Sequence, residues 1–326
     1  MKLIKNLITG IGGFVASHLA DYLLEKGEEV FGICRWFEDL SKINHIKDRI
    51  NLVPADLNDL SSLLRCIEKV KPEFIYHLGA QSYVTDSFIF PEETIRTNTI
   101  GTLNILEAIR IVMQNQKNFD PVIHVCSSSE VYGQVKEDEV PIKETNQFRP
   151  ANPYAVSKVG EDMIAYQYHQ SYGIKAIRTR MFTHTGPRRE MNSAEVAFAK
   201  QIARIERKLQ VPIIKVGNLD SVRTFADVRD AVKAYYLLVR KCRSGEVYNI
   251  GGNRTMKIGE MLNYLISQSS SEDEIKIEVD PERLRPSDVT LQIPDISKFQ
   301  NETGWKPEIS FEKTMIDLLN YHRVNI

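Results

Sequence analysis

The segment Leu7-Ile8-Thr9-Gly10-Ile11-Gly12-Gly13-Phe14-Val15-Ala16 carries a β-prone stretch into a glycine-rich turn and on into helical spacing. Small residues stand at 10, 13 and 16. In a strand-turn-helix unit Gly10 permits the tight turn, Gly13 lets backbone approach a pyrophosphate, and Ala16 lets the helix pack on the strand. The helix start, at Phe14 and Val15, then offers unpaired N–H groups and a partial positive charge to an anion. On spacing alone an ordinary strand-to-helix turn fits the triplet equally well. Its position on the first strand favours the phosphate-binding reading.

Outward from this segment, β-rich runs at 3–8, 29–34, 50–53, 74–78, 122–126 and 175–182 alternate with helical spacing at 15–25, 60–70 and 91–112. Such alternation predicts parallel strands joined by helical crossovers that cover both faces of a sheet, a Rossmann-like doubly wound α/β fold. Beyond 182 the texture changes to a basic turn at 186–189, a helix over 193–208, a strand at 213–216 and a loop at 217–223. Residues 227–239 and 247–250 read as helix then strand, which returns the chain to the main sheet. The expected organisation is a dinucleotide-binding domain over 1–182, rejoined by 227–252, and a smaller C-terminal substrate-binding lobe within 183–326.

Composition narrows the class. Hydrophobic residues make up 42% and charged residues 26% of the 326, a globular mixture rather than a disordered one. Forty-two basic against 43 acidic side chains give no general attraction to nucleic acid or an anionic membrane, so any anion must be gripped locally. The cysteines at 34, 66, 126 and 242 lack CxxC spacing and read as small buried thiols, which fits a reducing compartment and predicts no metal site. The first residues lead straight into a strand without a signal-peptide pattern, and no apolar run approaches the roughly 18 residues of a membrane span. The expected location is cytoplasmic.

Two positions bear on the dinucleotide. An acid at the end of the second strand would favour NAD; here Cys34 is followed by Arg35, whose guanidinium suits the 2′-phosphate of NADP, although a surface arginine is the bland alternative. Asp56, after the third strand, either holds the adenine amine or caps the helix near Leu60.

Three tyrosines, Tyr22, Tyr132 and Tyr154, have a lysine four residues on. In a helix this spacing puts both on one face, where an ammonium lowers the phenol's pKa and lets it exchange a proton with a sugar hydroxyl. Context singles out Tyr154 with Lys158: Pro153 starts a helix, and the run Ser127-Ser128-Ser129-Glu130 ends the fifth strand upstream, at the strand end where ligands bind in such sheets. Ser128 can share the substrate hydroxyl with Tyr154, and Glu130 stands nearby as an acid/base.

Gly10-x-x-Gly13, His77-Leu78-Gly79-Ala80-Gln81-Ser82, Ser127-Ser128-Ser129-Glu130-Val131-Tyr132-Gly133 and Pro153-Tyr154-Ala155-Val156-Ser157-Lys158 resemble, in order, the motifs of the extended short-chain dehydrogenase/reductase family. Thr183-His184-Thr185-Gly186-Pro187-Arg188-Arg189, Gly217-Asn218-Leu219 with Arg223, and Arg285-Pro286-Ser287-Asp288-Val289 are similar to the GDP-mannose 4,6-dehydratase group and its relatives acting on GDP-manno-heptose. That resemblance implies oxidation at C4, loss of water across C5 and C6, and return of hydride to C6 with tightly held NADP. It implies Leu57, Leu78 and Ala80 as further dinucleotide contacts, and Thr183, Arg188, Val196, Lys200, Arg223 and Arg285 around the GDP-linked sugar. It also implies a homodimer or homotetramer, with Arg189 reaching a neighbouring subunit. The chain departs from the group's pattern with Thr183 for the usual asparagine, Gly79 within the His-Leu-Ala-Ala motif, Thr224 where Asp is common, and Ser128 for threonine. Two alternatives stay open, a GDP-4-keto-6-deoxy-sugar reductase and a non-catalytic NADP-sensing protein.

Overall fold

The computed structural model describes residues 3–189, 193–284 and 289–326. Strands β1 (Lys5–Thr9), β2 (Glu29–Cys34), β3 (Asn51–Pro54), β4 (Phe74–His77), β5 (Val122–Ser128) and β6 (Lys175–Met181) occupy the first part of the chain. They are followed by β7 (His184–Thr185), β8 (Ile213–Val216), β9 (Val222–Asp227), β10 (Val247–Ile250), β11 (Arg254–Lys257), β12 (Lys276–Val279) and β13 (Leu291–Gln292). The main sheet has seven parallel strands in the order β10-β6-β5-β4-β1-β2-β3. From β1 the chain builds one way through β2 and β3 and the other way through β4, β5 and β6. A crevice therefore opens at the carboxyl ends of β1 and β4, where crossovers leave in opposite directions.

Helices α1 (Phe14–Glu25), α2 (Leu60–Val70), α3 (Val84–Ile89), α4 (Pro91–Ile95), α5 (Gly101–Asn115) and α6 (Pro153–Tyr172) flank this sheet, with α7 (Ala194–Glu206), α8 (Val228–Lys241), α9 (Ile258–Ser267), α10 (Ser297–Thr303) and α11 (Phe311–Val324) further along. One core lies between the sheet and α1 and α8, built on Leu19, Leu23, Ala231 and Tyr235 and closed by Phe299 and Trp305. The other joins Leu63 and Ile67 of α2, Ile105 and Ile109 of α5, and Ala165 of α6. Each such aliphatic side chain taken from water contributes about 1.5–3 kcal/mol before entropy is counted, so both faces of the sheet must stay covered. The segment 91–112 is not one helix: between α4 and α5 a π-helical turn runs over Arg96–Ile100. The wider turn carries the buried Asn98, whose amide takes the Gln81 N–H (2.8 Å) and donates to Gln81 O and Ser157 Oγ (2.9 Å each).

The smaller sheets lie on the lobe side. β9 pairs with β11, β13 and β7, and β8 pairs with β12. Part of the stretch expected to be loop at 217–223 is therefore strand. The polar residues Arg223, Thr224 and Asp227 hid it, because the strand is held by ladder bonds to β11 and β13 rather than by an apolar run. Phe225 of β9, with Ile202 of α7, Leu262 of α9 and Leu318 of α11, forms the lobe's own core.

Candidate active site

The switch point of the sheet is stitched by polar bonds. Thr9 Oγ1 lies 2.9 Å from His77 Nδ1 and accepts the N–H of Leu78 and Gly79 at 3.1 and 2.8 Å, while His77 Nε2 lies 3.0 Å from Thr102 Oγ1. Burial lowers the His77 pKa to about 3, so the ring bridges the strands as a neutral imidazole. This network brings Gly79 against the glycine turn. Gly10 has φ 67°, and a Cβ there would stand 2.7 Å from Gly79 Cα, so both the backbone angle and the space require glycine.

Gly13 is the N-cap of α1 and supplies no side-chain cap, which leaves the helix start open toward the cavity beyond it. That cavity, of about 680 Å³, is lined by Gly10, Gly13, Phe14, Val15, Arg35, Asp56, Leu57, Leu78 and Ala80 at one end and by Ser128, Glu130, Tyr154, Lys158 and Thr183 at the other. An uncapped helix start, a turn that tolerates no Cβ and an exposed Arg35 fit the pyrophosphate and 2′-phosphate of NADP. Asp56 lines the cavity while its Oδ1 takes the Asn58 N–H at 2.8 Å; the cap of α2 is instead Asp59.

The wall that carries the candidate catalytic residues is built from two elements. β5 ends at Ser128, whose Oγ accepts the N–H of Glu130 at 3.2 Å and so turns the chain into a short 3-10 helix. α6 begins at Asn152, whose Oδ1 accepts the Ala155 N–H (2.7 Å) while its Nδ2 donates to Glu130 Oε2 (3.2 Å). One side chain thus caps the helix that carries Tyr154 and also holds the Glu130 carboxylate beside it. Lys158 is buried, and its Nζ donates to Cys126 O at 2.9 Å and to Glu161 Oε2 at 2.7 Å. Burial raises the Tyr154 pKa, opposed by the nearby Lys158 and by a hydrogen bond with Ser128. Burial works to discharge Lys158, but Glu161 and Tyr154 outweigh it and keep its pKa above the usual lysine value. For Glu161 burial wins, raising its pKa to about 7 against the pull of Lys158.

Several expected substrate residues lie elsewhere. Arg188, at φ 68°, turns its guanidinium onto α1, where it donates to Asp21 Oδ2 and bonds His18 Nδ1, both at 2.7 Å. Its charge is spent there rather than at the cavity. Val196 is buried in the lobe core, Lys200 lies on α7 and is not among the residues lining this cavity, and Arg223 donates to Val222 O at 3.1 Å and to Val289 O. Arg285 lies outside the described residues.

Among the wall residues, the sequence does not single out Glu38 or Gln292, and it marks His184 and Arg189 only through the motif they share, with Arg189 expected at a neighbouring subunit. Glu38 accepts the N–H of Arg35 (3.0 Å) and of Gly12 (3.3 Å). Arg189 faces the cavity of its own chain, over the Phe14 ring at 5.7 Å and 3.2 Å from Glu195 Oε1. Burial, aided by Arg189, lowers His184 to about 4 and keeps it neutral. Gln292 reaches in from β13 to accept the Ser129 hydroxyl at 2.6 Å. No local pattern marks Glu38 or Gln292.

A doubly wound sheet with a glycine cradle at its switch point and a serine, tyrosine and lysine at the end of β5 defines an extended short-chain dehydrogenase/reductase. The chain belongs to the GDP-mannose 4,6-dehydratase family, whose model matches residues 7–318. It is 33% identical to a GDP-mannose 4,6-dehydratase from Yersinia enterocolitica over 97% of this chain and 92% of the relative. A GDP-6-deoxy-D-mannose reductase from Pseudomonas aeruginosa is 32% identical over 96% of this chain and 95% of its own. Among solved structures, that of RMD from Pseudomonas aeruginosa complexed with NADPH superposes with a TM-score of 0.83 at 30% identity, covering 99% of this chain and 100% of the other.

Proposed function

We propose that this chain is an NADP-dependent GDP-sugar 4,6-dehydratase, a lyase acting on GDP-mannose or GDP-manno-heptose. The observation that carries the reading is the joining of Glu130 to the start of α6 through Asn152, which puts a second acid/base on the same wall as Tyr154, Lys158 and Ser128. NADP, when bound, supplies the electron-pair acceptor for oxidation at C4 and the donor for reduction at C6. Tyr154 takes the proton of the C4 hydroxyl, helped by the positive charge of Lys158. Ser128 orients that hydroxyl, and Glu130 removes the C5 proton once the C4 carbonyl has made it acidic and passes it to the C6 hydroxyl, which leaves as water; reduction at C6 is then completed by a proton returning to C5, equal to the one Tyr154 took from the C4 hydroxyl. Because the redox change cancels, the dinucleotide stays in place through turnover.

The reductase is the second reading, and a relative of that activity matches over nearly the same length. One experiment separates the two: purified protein is incubated with each GDP-sugar without added dinucleotide and the products are weighed by mass spectrometry. Loss of one water supports the dehydratase. No reaction here, with consumption of added NADPH on a 4-keto-6-deoxy sugar, supports the reductase. Glu130→Gln should then accumulate reduced dinucleotide absorbance on mixing with substrate and form little dehydrated product.

The reading includes a homodimer or homotetramer in the cytoplasm. Exposed Phe88 and Ile89 of α3, Ile95 of α4, and Val156, Met163 and Tyr166 of the adjoining α6 support the oligomer, since together they make an apolar surface suited to a second copy. The free cysteines suit a reducing compartment. Light scattering after size exclusion tests the assembly.

A further inference from the structure

Lys158 faces two groups able to carry negative charge. Its Nζ is 6.0 Å from the centre of the Tyr154 ring and 2.7 Å from Glu161 Oε2, and the whole group is buried. An ammonium has three donors. Two are committed, to Cys126 O and to Glu161, so one remains for the phenol side.

Among the described residues, the neighbours give Glu161 no other cation. The next residue, Asp162, takes both nearby guanidinium groups from β6, with Arg178 Nη1 at 2.7 Å and Arg180 Nε at 2.9 Å. From β5 come Cys126 and His124, from β4 His77, and from α8 Tyr235. Burial holds both imidazoles neutral and raises the Cys126 thiol and the Tyr235 phenol. Within this pocket one lysine must therefore balance a carboxylate and, during turnover, a phenolate.

We infer that Tyr154 and Glu161 share a single negative charge across Lys158, so that the reactive phenolate forms only when Glu161 carries a proton. Two anions on one buried cation would leave the site with a net charge of −1 in low dielectric, whereas a phenolate beside a neutral carboxyl, or a phenol beside a carboxylate, leaves it neutral. The two neutral forms contain the same number of protons, so exchange between them consumes nothing. Burial lifts Glu161 to about 7, so the carboxyl can hold a proton at ordinary working pH, while the burial that also raises Tyr154 sets the cost of taking that proton from the phenol. Glu161 is thus a positioning residue that sets when Tyr154 becomes a base, acting through Lys158.

This inference rests on Tyr154 being the proton-exchanging group of the proposed reaction, and two measurements on full-length, dinucleotide-loaded protein keep the claims apart. The first is an ultraviolet difference titration of the phenolate band, with Tyr154→Phe subtracted to isolate Tyr154. The second is the pH dependence of kcat. Removing the Glu161 carboxylate removes a charge that opposes the phenolate, so ionisation becomes easier. Glu161→Gln and Glu161→Met should each move the phenolate midpoint and the rising limb of kcat to lower pH by about one unit. Either variant suffices if the other does not fold. Glu161→Asp keeps the charge and should stay near the wild-type midpoint. An unchanged or higher midpoint in the neutral variants, or an equal downward shift in Glu161→Asp, would overturn the inference. Full turnover in Tyr154→Phe would overturn the function assigned to that residue, whereas the titration alone decides whether Glu161 and a buried phenol are coupled.

Discussion

Tyr132 and Tyr154 are both buried and both precede a lysine by four residues, yet their hydroxyls live in different chemical settings. The Tyr132 oxygen donates to Asn249 Oδ1 at 2.7 Å and accepts from Arg180 Nη1 at 3.0 Å. Its pKa is raised to about 12 by burial, and Gly133, at φ 58°, turns the chain away before Lys136 can join it. Tyr154 instead lines the cavity, close to Ser128 and to a lysine with a donor to spare. A buried hydroxyl with every valence filled acts as scaffold, and one with capacity left over at a cavity can do chemistry. Adjacent acids on α6 repeat the contrast, since Asp162 is saturated by two arginines and Glu161 is not.

The comparison would break most visibly at Tyr154. Tyr154→Phe should lower turnover by about a thousandfold with dinucleotide binding and melting temperature nearly unchanged, because only a proton-exchanging atom is lost. Tyr132→Phe should do the reverse: unfolding free energy should fall by about 1–3 kcal/mol in denaturant melts, as Asn249 and Arg180 lose a partner, while the folded fraction keeps its turnover. Among the cations, Arg180 is enclosed by Asp162, Tyr132 and Glu144 O, but Arg35 stands at the cavity with its guanidinium near the Phe37 ring. Arg35→Ala should weaken NADP about tenfold more than NAD in binding titrations, since it removes a charge-assisted partner of a 2′-phosphate that NAD lacks and leaves the Glu38 carboxylate beside it. Tyr22→Phe gives the baseline. Its ring packs against Tyr236 at 5.4 Å and under the Lys26 ammonium at 5.1 Å, contacts a phenyl ring keeps, so stability should change by under about 0.5 kcal/mol.

Legibility in the sequence followed the physics of each element. The central parallel strands are buried on both faces, so Val30 to Cys34, or Val122 to Cys126 despite His124, read directly as largely apolar runs. β9 (Val-Arg-Thr-Phe-Ala-Asp) has neither an apolar run nor a clean alternation and owes its form to partners at 254–257 and 291–292, which no local window contains. In the cavity, Gly10, Tyr154 and Lys158 announce themselves through spacing. Glu38, Gln292 and the bridging Asn152 do not, because a loop carboxylate, a strand amide and a helix cap acquire their roles only from what folds against them. Nor can sequence tell Glu161 from Asp162. The choice of which acid meets Arg178 and Arg180 is made by the packing of α6 on β6.

The position of the serine run has a consequence for how this enzyme can change over evolutionary time. Ser127 and Ser128 are the last residues of a central strand whose ladder pairs them with Arg180 and Met181 of β6, while β4 binds the strand's other edge. Moving either hydroxyl would mean shifting the register of the whole sheet. The cavity's far side is made of loop and lobe residues such as Thr183, Arg189 and Gln292, which can be exchanged without disturbing that ladder. Variation in the sugar accepted should therefore accumulate on the lobe side, while the strand end that carries the proposed catalytic hydroxyl stays fixed from one descendant to the next.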